Sequence, residues 1–296
     1  MAQFHCLTFL TDYGLEDAFV AVCHAVAAQV APELRITDLT HLIPLGDIRR
    51  GATVLAQAAP YFPPAVHVAV VDPGVGTARR GVAVAAGGSL FVGPDNGLLS
   101  VAVAAAGGAV RAVSLTNRAL WRDTTAATFH GRDIFMPVAA RLAAGFPLDE
   151  AGDPVEVASL VTLPQPECRI TGGRAHVEVV TVDGFGNVQL SLPGADAPRA
   201  GLTPGVTVTL GWDGGKITVP FVTTFGEVPP GEPLCYRDSG GWVAIAVADG
   251  DAARRFGLRP GTRITLTVTS PPSQASVTAV PGISPARGAS APGRDN

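Results

Sequence analysis

Lysine is almost missing from this chain. Among 296 residues only Lys216 occurs, in the turn-like stretch Asp213-Gly214-Gly215-Lys216. The scarcity removes two chemistries. A phosphate-binding loop needs its lysine before Ser or Thr, and an imine-forming lysine needs a buried pocket; a glycine-rich turn supplies neither. Cysteine is scarce too. Cys6, Cys23, Cys168 and Cys235 form no C-x-x-C pair, the usage of free thiols in a reducing compartment. The six histidines show no H-x-H or H-E-x-x-H spacing, so no metal site and no cofactor are expected. No stretch of about 18 apolar residues occurs, and no charged segment leads into a long apolar one near the start, so a soluble, cytoplasmic protein without a membrane partner is expected. Charged residues make up 16% and the net charge is −4, without any Lys/Arg run. Nucleic acid is therefore not an expected partner.

What is present is apolar material. Hydrophobic residues reach 47%, enough for one or two packed cores. Over residues 1–163, short apolar runs alternate with helical patterns. Strands are read at Cys6–Leu10, Leu34–Leu39, Ala65–Val71, Val82–Ala86, Leu90–Val92 and Val110–Leu115. Helices are read from about Asp17 to Ala31, at Asp47–Ala59 with Asp47 as N-cap, at Leu98–Ala106 and at Ile134–Ala144. Ala65–Val71 is continuously apolar, as strands buried on both faces of a parallel sheet are. The alternation predicts an α/β layered domain with a largely parallel sheet. Leu148–Arg169, rich in proline and turn residues, reads as the boundary. Residues 167–270 carry short runs separated by Gly/Pro/Asp turns, which predicts a smaller all-β domain, a barrel or a sandwich. Residues 271–296 lack periodicity and are expected to be a disordered tail.

Three segments place polar residues where this packing does not ask for them. They are Thr11-Asp12-Tyr13-Gly14 with Asp17, Val71-Asp72-Pro73-Gly74-Val75-Gly76-Thr77-Ala78-Arg79, and Phe129-His130-Gly131-Arg132-Asp133. Ligands of open α/β sheets sit at the carboxyl ends of strands. Asp12 and Asp72 both fall at such ends, so they should share a rim within reach of His130. Gly74-x-Gly76 is not a dinucleotide fingerprint, because a strand rather than a helix follows it. A fourth segment, Asp183-Gly184-Phe185-Gly186-Asn187, reads either as a plain hairpin turn or as an aromatic face and an amide edge for a purine. Taken singly, each segment also has a purely structural reading: a glycine turn, a capping histidine, a strand-end acid.

Together, in this order and with Asp238-Ser239-Gly240, these segments resemble the S-adenosyl-L-methionine hydroxide adenosyltransferases, relatives of the fluorinating and chlorinating enzymes, over about residues 1–270. The resemblance implies hydrolysis of S-adenosyl-L-methionine to adenosine and L-methionine. It implies that Asp72, Arg79 and His130 surround the attacking water and that Asp12 holds the ribose hydroxyls. Phe185 and Asn187 would face adenine, and Asp17, Asp183 and Ser239 the methionine ammonium and carboxylate. It further implies a homotrimer whose sites lie between the α/β domain of one subunit and the β domain of its neighbour. Two positions depart from the family pattern, Asp238 and Ala248, where the family often has asparagine; both bear on the C-terminal contacts. Two other readings stand beside hydrolysis: halide attack on the same substrate, and a non-catalytic adenosine or S-adenosyl-L-methionine binding module. A carboxylate beside an incoming anion is repulsive, so Asp72 favours water. Whether Asp72 or His130 takes the proton is open at this level.

Overall fold

In the computed structural model, which describes residues 4–270, the first half of the chain builds a three-layer α/β/α unit. Its elements are β1 (Cys6–Thr11), α1 (Phe19–Val30), β2 (Arg35–Thr40), α2 (Ile48–Ala58), β3 (Val66–Val70), β4 (Gly81–Ala86), β5 (Ser89–Pro94), α3 (Ser100–Ala105), β6 (Arg111–Ser114), α4 (Met136–Ala143) and β7 (Asp153–Val155). The sheet order is β2-β1-β3-β5-β4-β6-β7. The first four strands are parallel to one another, while β4, β6 and β7 join by antiparallel pairings. The expected largely parallel sheet is thus parallel where the motifs sit and antiparallel at the far edge. The switch has a local cause: β4 and β5 are joined by Gly87-Gly88, both at positive φ, a two-residue turn that closes a hairpin.

Each face of this sheet has its own core. Leu7, Phe9, Val66, Val68 and Val70 pack with Cys23, Ala27, Met136 and Val138, so α1 and α4 cover one face. Leu10, Ala69 and Val71 pack with Ala52, Leu55, Leu98 and Ala102, so α2 and α3 cover the other. Successive side chains of a strand point to opposite faces, which is why β3 needs apolar residues without interruption. His67 is the exception. Only 2% exposed, it stacks on Phe91 at 4.9 Å and meets Thr8 Oγ1 through Nδ1 at 2.8 Å.

The second half forms β8 (Cys168–Thr171), β9 (Arg174–Val182), β10 (Val188–Pro193), β11 (Thr207–Trp212), β12 (Gly215–Val222), β13 (Pro233–Arg237), β14 (Trp242–Val247), α5 (Ala252–Phe256) and β15 (Arg263–Ser270). The order β10-β14-β13-β12-β11-β15-β9 closes on itself through the β9–β10 pairing, with β8 added outside β9. This is a closed barrel rather than a sandwich. Its interior takes alternate residues, such as Ala175, Val177 and Val179 of β9 and Val188, Leu190 and Leu192 of β10. Four elements lie beyond the sequence reading: β7, β8, β13 and α5. The strands β7, β8 and β13 are three to five residues long, too short for a period, and α5 is a single turn capped by Asp251, which accepts from Arg254 N at 2.8 Å. The segment 271–296, expected to be disordered, lies outside the described residues. Among the described residues, no helix is long and apolar enough to cross a membrane.

Burial drives the pKa of His67 from 6.5 to about 4. The unfolded chain takes up a proton at this residue below about pH 6.5, and the folded chain resists until about pH 4. Its contribution to stability is therefore complete above 6.5 and is lost as pH falls toward 4, by about 3 kcal/mol at the lower end. A His67→Phe variant should lose less melting temperature over that window than the wild-type protein does. Parallel pH profiles of the two melting temperatures would contradict this.

Candidate active site

Asp12 follows β1 and Asp72 follows β3, the two neighbouring central strands, so their carboxylates emerge on one rim. Together with Tyr13, Phe19, Leu45, Gly46, Pro73 and His130 they border a cavity of about 440 Å³. The loop after β3 doubles back through Val75 N to Asp72 O (3.2 Å) and Thr77 N to Gly74 O (3.2 Å). That return brings Arg79 onto Asp72. The Arg79 Nε atom lies 3.0 Å from each Asp72 carboxylate oxygen, and Nη2 also donates to Oδ2. Side-chain exposure is 5% for Asp72 and 12% for Arg79, so each compensates the other's burial. The guanidinium also sits 5.2 Å from the centre of the Phe135 ring.

Arg79 Nη2 is 2.8 Å from His130 Nδ1. Guanidinium nitrogens only donate, so Nδ1 accepts and the proton of the neutral ring is on Nε2. The pKa of His130 is lowered from 6.5, first by burial and then by the charge of Arg79, against the opposing pull of Asp72 and Asp133. Both leading effects favour the neutral ring. Arg79 does not border the cavity. It stands behind Asp72 and His130 and holds both.

His130 leads into a π-helical turn, Gly131–Phe135, in which Met136 N donates to Gly131 O before α4 begins. Pro137 has no N–H for the carbonyl of Asp133, which accepts from Arg122 N at 3.0 Å instead. The Asp133 carboxylate is fully buried. It accepts from Arg132 Nε and Nη2 (2.7 and 2.8 Å), Ala126 N (2.8 Å) and Arg122 Nη1 (3.1 Å). Burial pushes its pKa up, but these donors outweigh burial and hold it low. Arg132 and Asp133 thus anchor the turn that presents His130.

The first and third motifs are pressed together. Tyr13, Phe19 and Phe129 meet edge to face with centroids 5.4 to 6.2 Å apart. Gly131 lies against the Tyr13 hydroxyl so closely that a Cβ there would overlap it. Asp12 is fixed by Gly46 N, which donates to Oδ2 at 2.9 Å. Asp17 is exposed in the loop before α1 and does not border this cavity.

The other predicted residues border a separate, larger cavity of about 970 Å³ on the barrel, where Asp183, Phe185, Asn187, Asp238, Ser239 and Asp249 meet Arg50, Gln57 and Tyr61 from α2 and the turn after it. The two cavities share no bordering residue. Asp183 organises its own turn: Oδ1 accepts from Phe185 N (2.8 Å) and Asn187 N (2.9 Å), and Oδ2 from Asn187 Nδ2 (2.8 Å). The result is a Phe185 ring that is 80% exposed. Asp238, one of the departures, accepts from Gln189 Nε2 at 2.6 Å and Trp242 N at 2.8 Å. Gln189 Oε1 in turn accepts from Gln57 Nε2 at 2.9 Å. The other departure, Ala248, is buried and held by backbone bonds to Gly231 and Glu232. Gln57, Gln189 and Arg50 were not legible as site residues, since nothing local marks a helix face that meets a distant barrel.

The chain's similarity to known proteins follows the same two halves. Residues 7–152 match the SAM hydroxide adenosyltransferase N-terminal domain and residues 177–265 the C-terminal domain of that family. Over 273 residues the chain is 53% identical to an (R)-S-adenosyl-L-methionine hydrolase of Salinispora tropica, covering 90% of this chain and 99% of that protein. It is 27% identical to a fluorinase of an Actinoplanes species, with 88% and 97% covered. A crystal structure of an uncharacterized conserved protein from Thermotoga maritima superimposes with a TM-score of 0.84 at 34% identity, covering 88% of this chain and 99% of that one.

The Gly131 contact gives a test of the packing between motifs. Gly131→Ala must displace Tyr13, at an overpacking cost of about 1–3 kcal/mol. Its melting temperature should fall modestly, while affinity for adenosine, measured by calorimetry, should fall at least about tenfold because the Asp12 loop moves with Tyr13. Unchanged affinity would show that the loop is positioned by other contacts.

Proposed function

Because the chain belongs to the SAM hydroxide adenosyltransferase family, we propose that it hydrolyses S-adenosyl-L-methionine to adenosine and L-methionine. The observation that carries the reading is the Asp72–Arg79–His130 arrangement at the wall of the Asp12 cavity. Binding a nucleoside gives no reason to gather a buried acid, a guanidinium and a neutral imidazole. Activating a water molecule does.

The reaction is an in-line displacement. Water oxygen forms a bond to the 5′ carbon as the carbon–sulfur bond breaks, and the electron pair of that bond goes to sulfur, which leaves as the neutral thioether of methionine. A sulfonium needs no acid to depart, so the site has only to align the water and take its proton. With Nδ1 of His130 engaged by Arg79, the imidazole has a hydrogen to donate and no free lone pair. Asp72 is therefore assigned as the proton acceptor and His130 as the group that orients the water. Arg79 compensates the burial of the Asp72 carboxylate and, after burial itself, favours the neutral form of His130, acting through both. No cofactor enters this chemistry. Asp12 is assigned to the ribose hydroxyls, Phe185 and Asn187 to adenine, and Asp17, Asp183 and Ser239 to the methionine end.

Incubation with substrate in oxygen-18 water should place the label in the 5′ hydroxyl of adenosine. Asp72→Asn and His130→Ala should each reduce turnover about a hundred- to ten-thousand-fold while substrate affinity changes far less. Haloadenosine formed only when chloride or fluoride is added would favour a halogenase. Binding without any product would favour a binding module.

The separation of the two cavities supports a site shared between subunits of a homotrimer. Each is flanked by exposed apolar side chains suited to contact: Phe19 and Leu45 at the first, Tyr61, Phe185 and Phe225 at the second. Co-expressing Asp72→Asn with Asn187→Ala in equal amounts should then restore about one quarter of the wild-type sites, because a mixed oligomer pairs an intact half of one chain with an intact half of another. If both halves came from one chain, no activity would return.

A further inference from the structure

The barrel cavity is acidic except at one point. Asp183, Asp238 and Asp249 border it, and Arg50 is the one cationic side chain among the described residues that does. Arg50 comes from α2, whose start is set by Asp47 accepting from Arg50 N at 2.9 Å. Its guanidinium is half-buried and donates through Nη1 to Thr181 Oγ1 on β9. Among the described residues it has no ion-pair partner, whereas the adjacent Arg49 lies 3.4 Å from Glu178 Oε1. Burial lowers the pKa of Arg50, with Asp183 and Asp47 opposing. It is a partly desolvated cation whose one mapped bond uses a single one of its five N–H donors.

S-adenosyl-L-methionine carries two cationic groups and one carboxylate. The acids suit the cations, but they repel the carboxylate unless a cation stands among them. Resting on the hydrolase reading above, we propose that Arg50 is the residue that receives the α-carboxylate of the substrate and thereby selects the intact amino acid over analogues that lack it. A guanidinium offers two parallel N–H donors to a carboxylate, and Thr181 holds this one from the side while leaving most donors open. The arrangement also ties recognition to domain packing, since Arg50 is rooted in the α/β domain and the acids in the barrel.

The competing account is that Arg50 is only a strut between domains, like Arg49 with Glu178 and Gln57 with Gln189. Calorimetric affinities separate the two when measured for S-adenosyl-L-methionine and for the analogue bearing hydrogen in place of the α-carboxylate. Arg50→Gln should weaken the first about 10- to 100-fold and the second less than about threefold, with Arg50→Lys recovering part of the loss. Equal weakening of both ligands, or of neither, in any variant that folds would overturn the proposal. So would a wild-type protein that binds both equally well, a measurement that needs no variant. Adenosine formation is followed separately by chromatography. Wild-type protein that prefers the carboxylate ligand yet forms no adenosine would sink the hydrolase reading, while the ligand contrast would still support the role of Arg50.

Discussion

The Arg79 guanidinium between Asp72 and His130 is the interaction on which the site depends. A carboxylate buried to 5% exposure has its desolvation compensated by the cation beside it, and burial together with that cation favours the neutral form of the imidazole that accepts from it. One side chain thereby holds two groups of the site. It also joins two loops far apart in sequence, the return after β3 and the π-helical turn before α4. Removing it would leave a buried acid without its partner and a histidine free to rotate or protonate. The other contacts around the cavity serve the same geometry. Asp133 with its four donors steadies the turn, and Tyr13 against Gly131 sets how closely the first motif approaches it.

Helix α2 is the second organising element. Its N-cap follows Gly46, whose N–H holds Asp12 of one cavity. The helix itself sends Arg49, Arg50 and Gln57 to the barrel. The helix and the glycine just before its cap thus reach both the barrel cavity and the Asp12 cavity. In a shared-site assembly, each copy of α2 would help shape two different sites.

Much of this was readable in one dimension because the causes are local. The continuous apolar run of β3 implies burial on both faces. Asp12 and Asp72 end parallel strands, which places them on one rim, and the glycine pair at 87–88 closes a hairpin wherever it occurs. Asp47 caps α2 as a side chain three residues before a free N–H should. Of the family motifs, Asp72, Arg79 and His130 come together in space; Asp17 does not border the cavity they share, and Asp183 uses both oxygens in its own turn.

The sequence by itself determined most of the strands and the longer helices, the order of the motifs and the family to which they belong, because side-chain periodicity, caps and turn residues act over a few positions. Only the tertiary structure decided that the barrel closes, that Arg79 stands behind the cavity rather than in it, and which nitrogen of His130 carries the proton. It alone brought Arg50 among the acids of the barrel. Each of these depends on contacts between residues tens to more than a hundred positions apart, where burial and charge act through space and leave no mark on the neighbouring sequence.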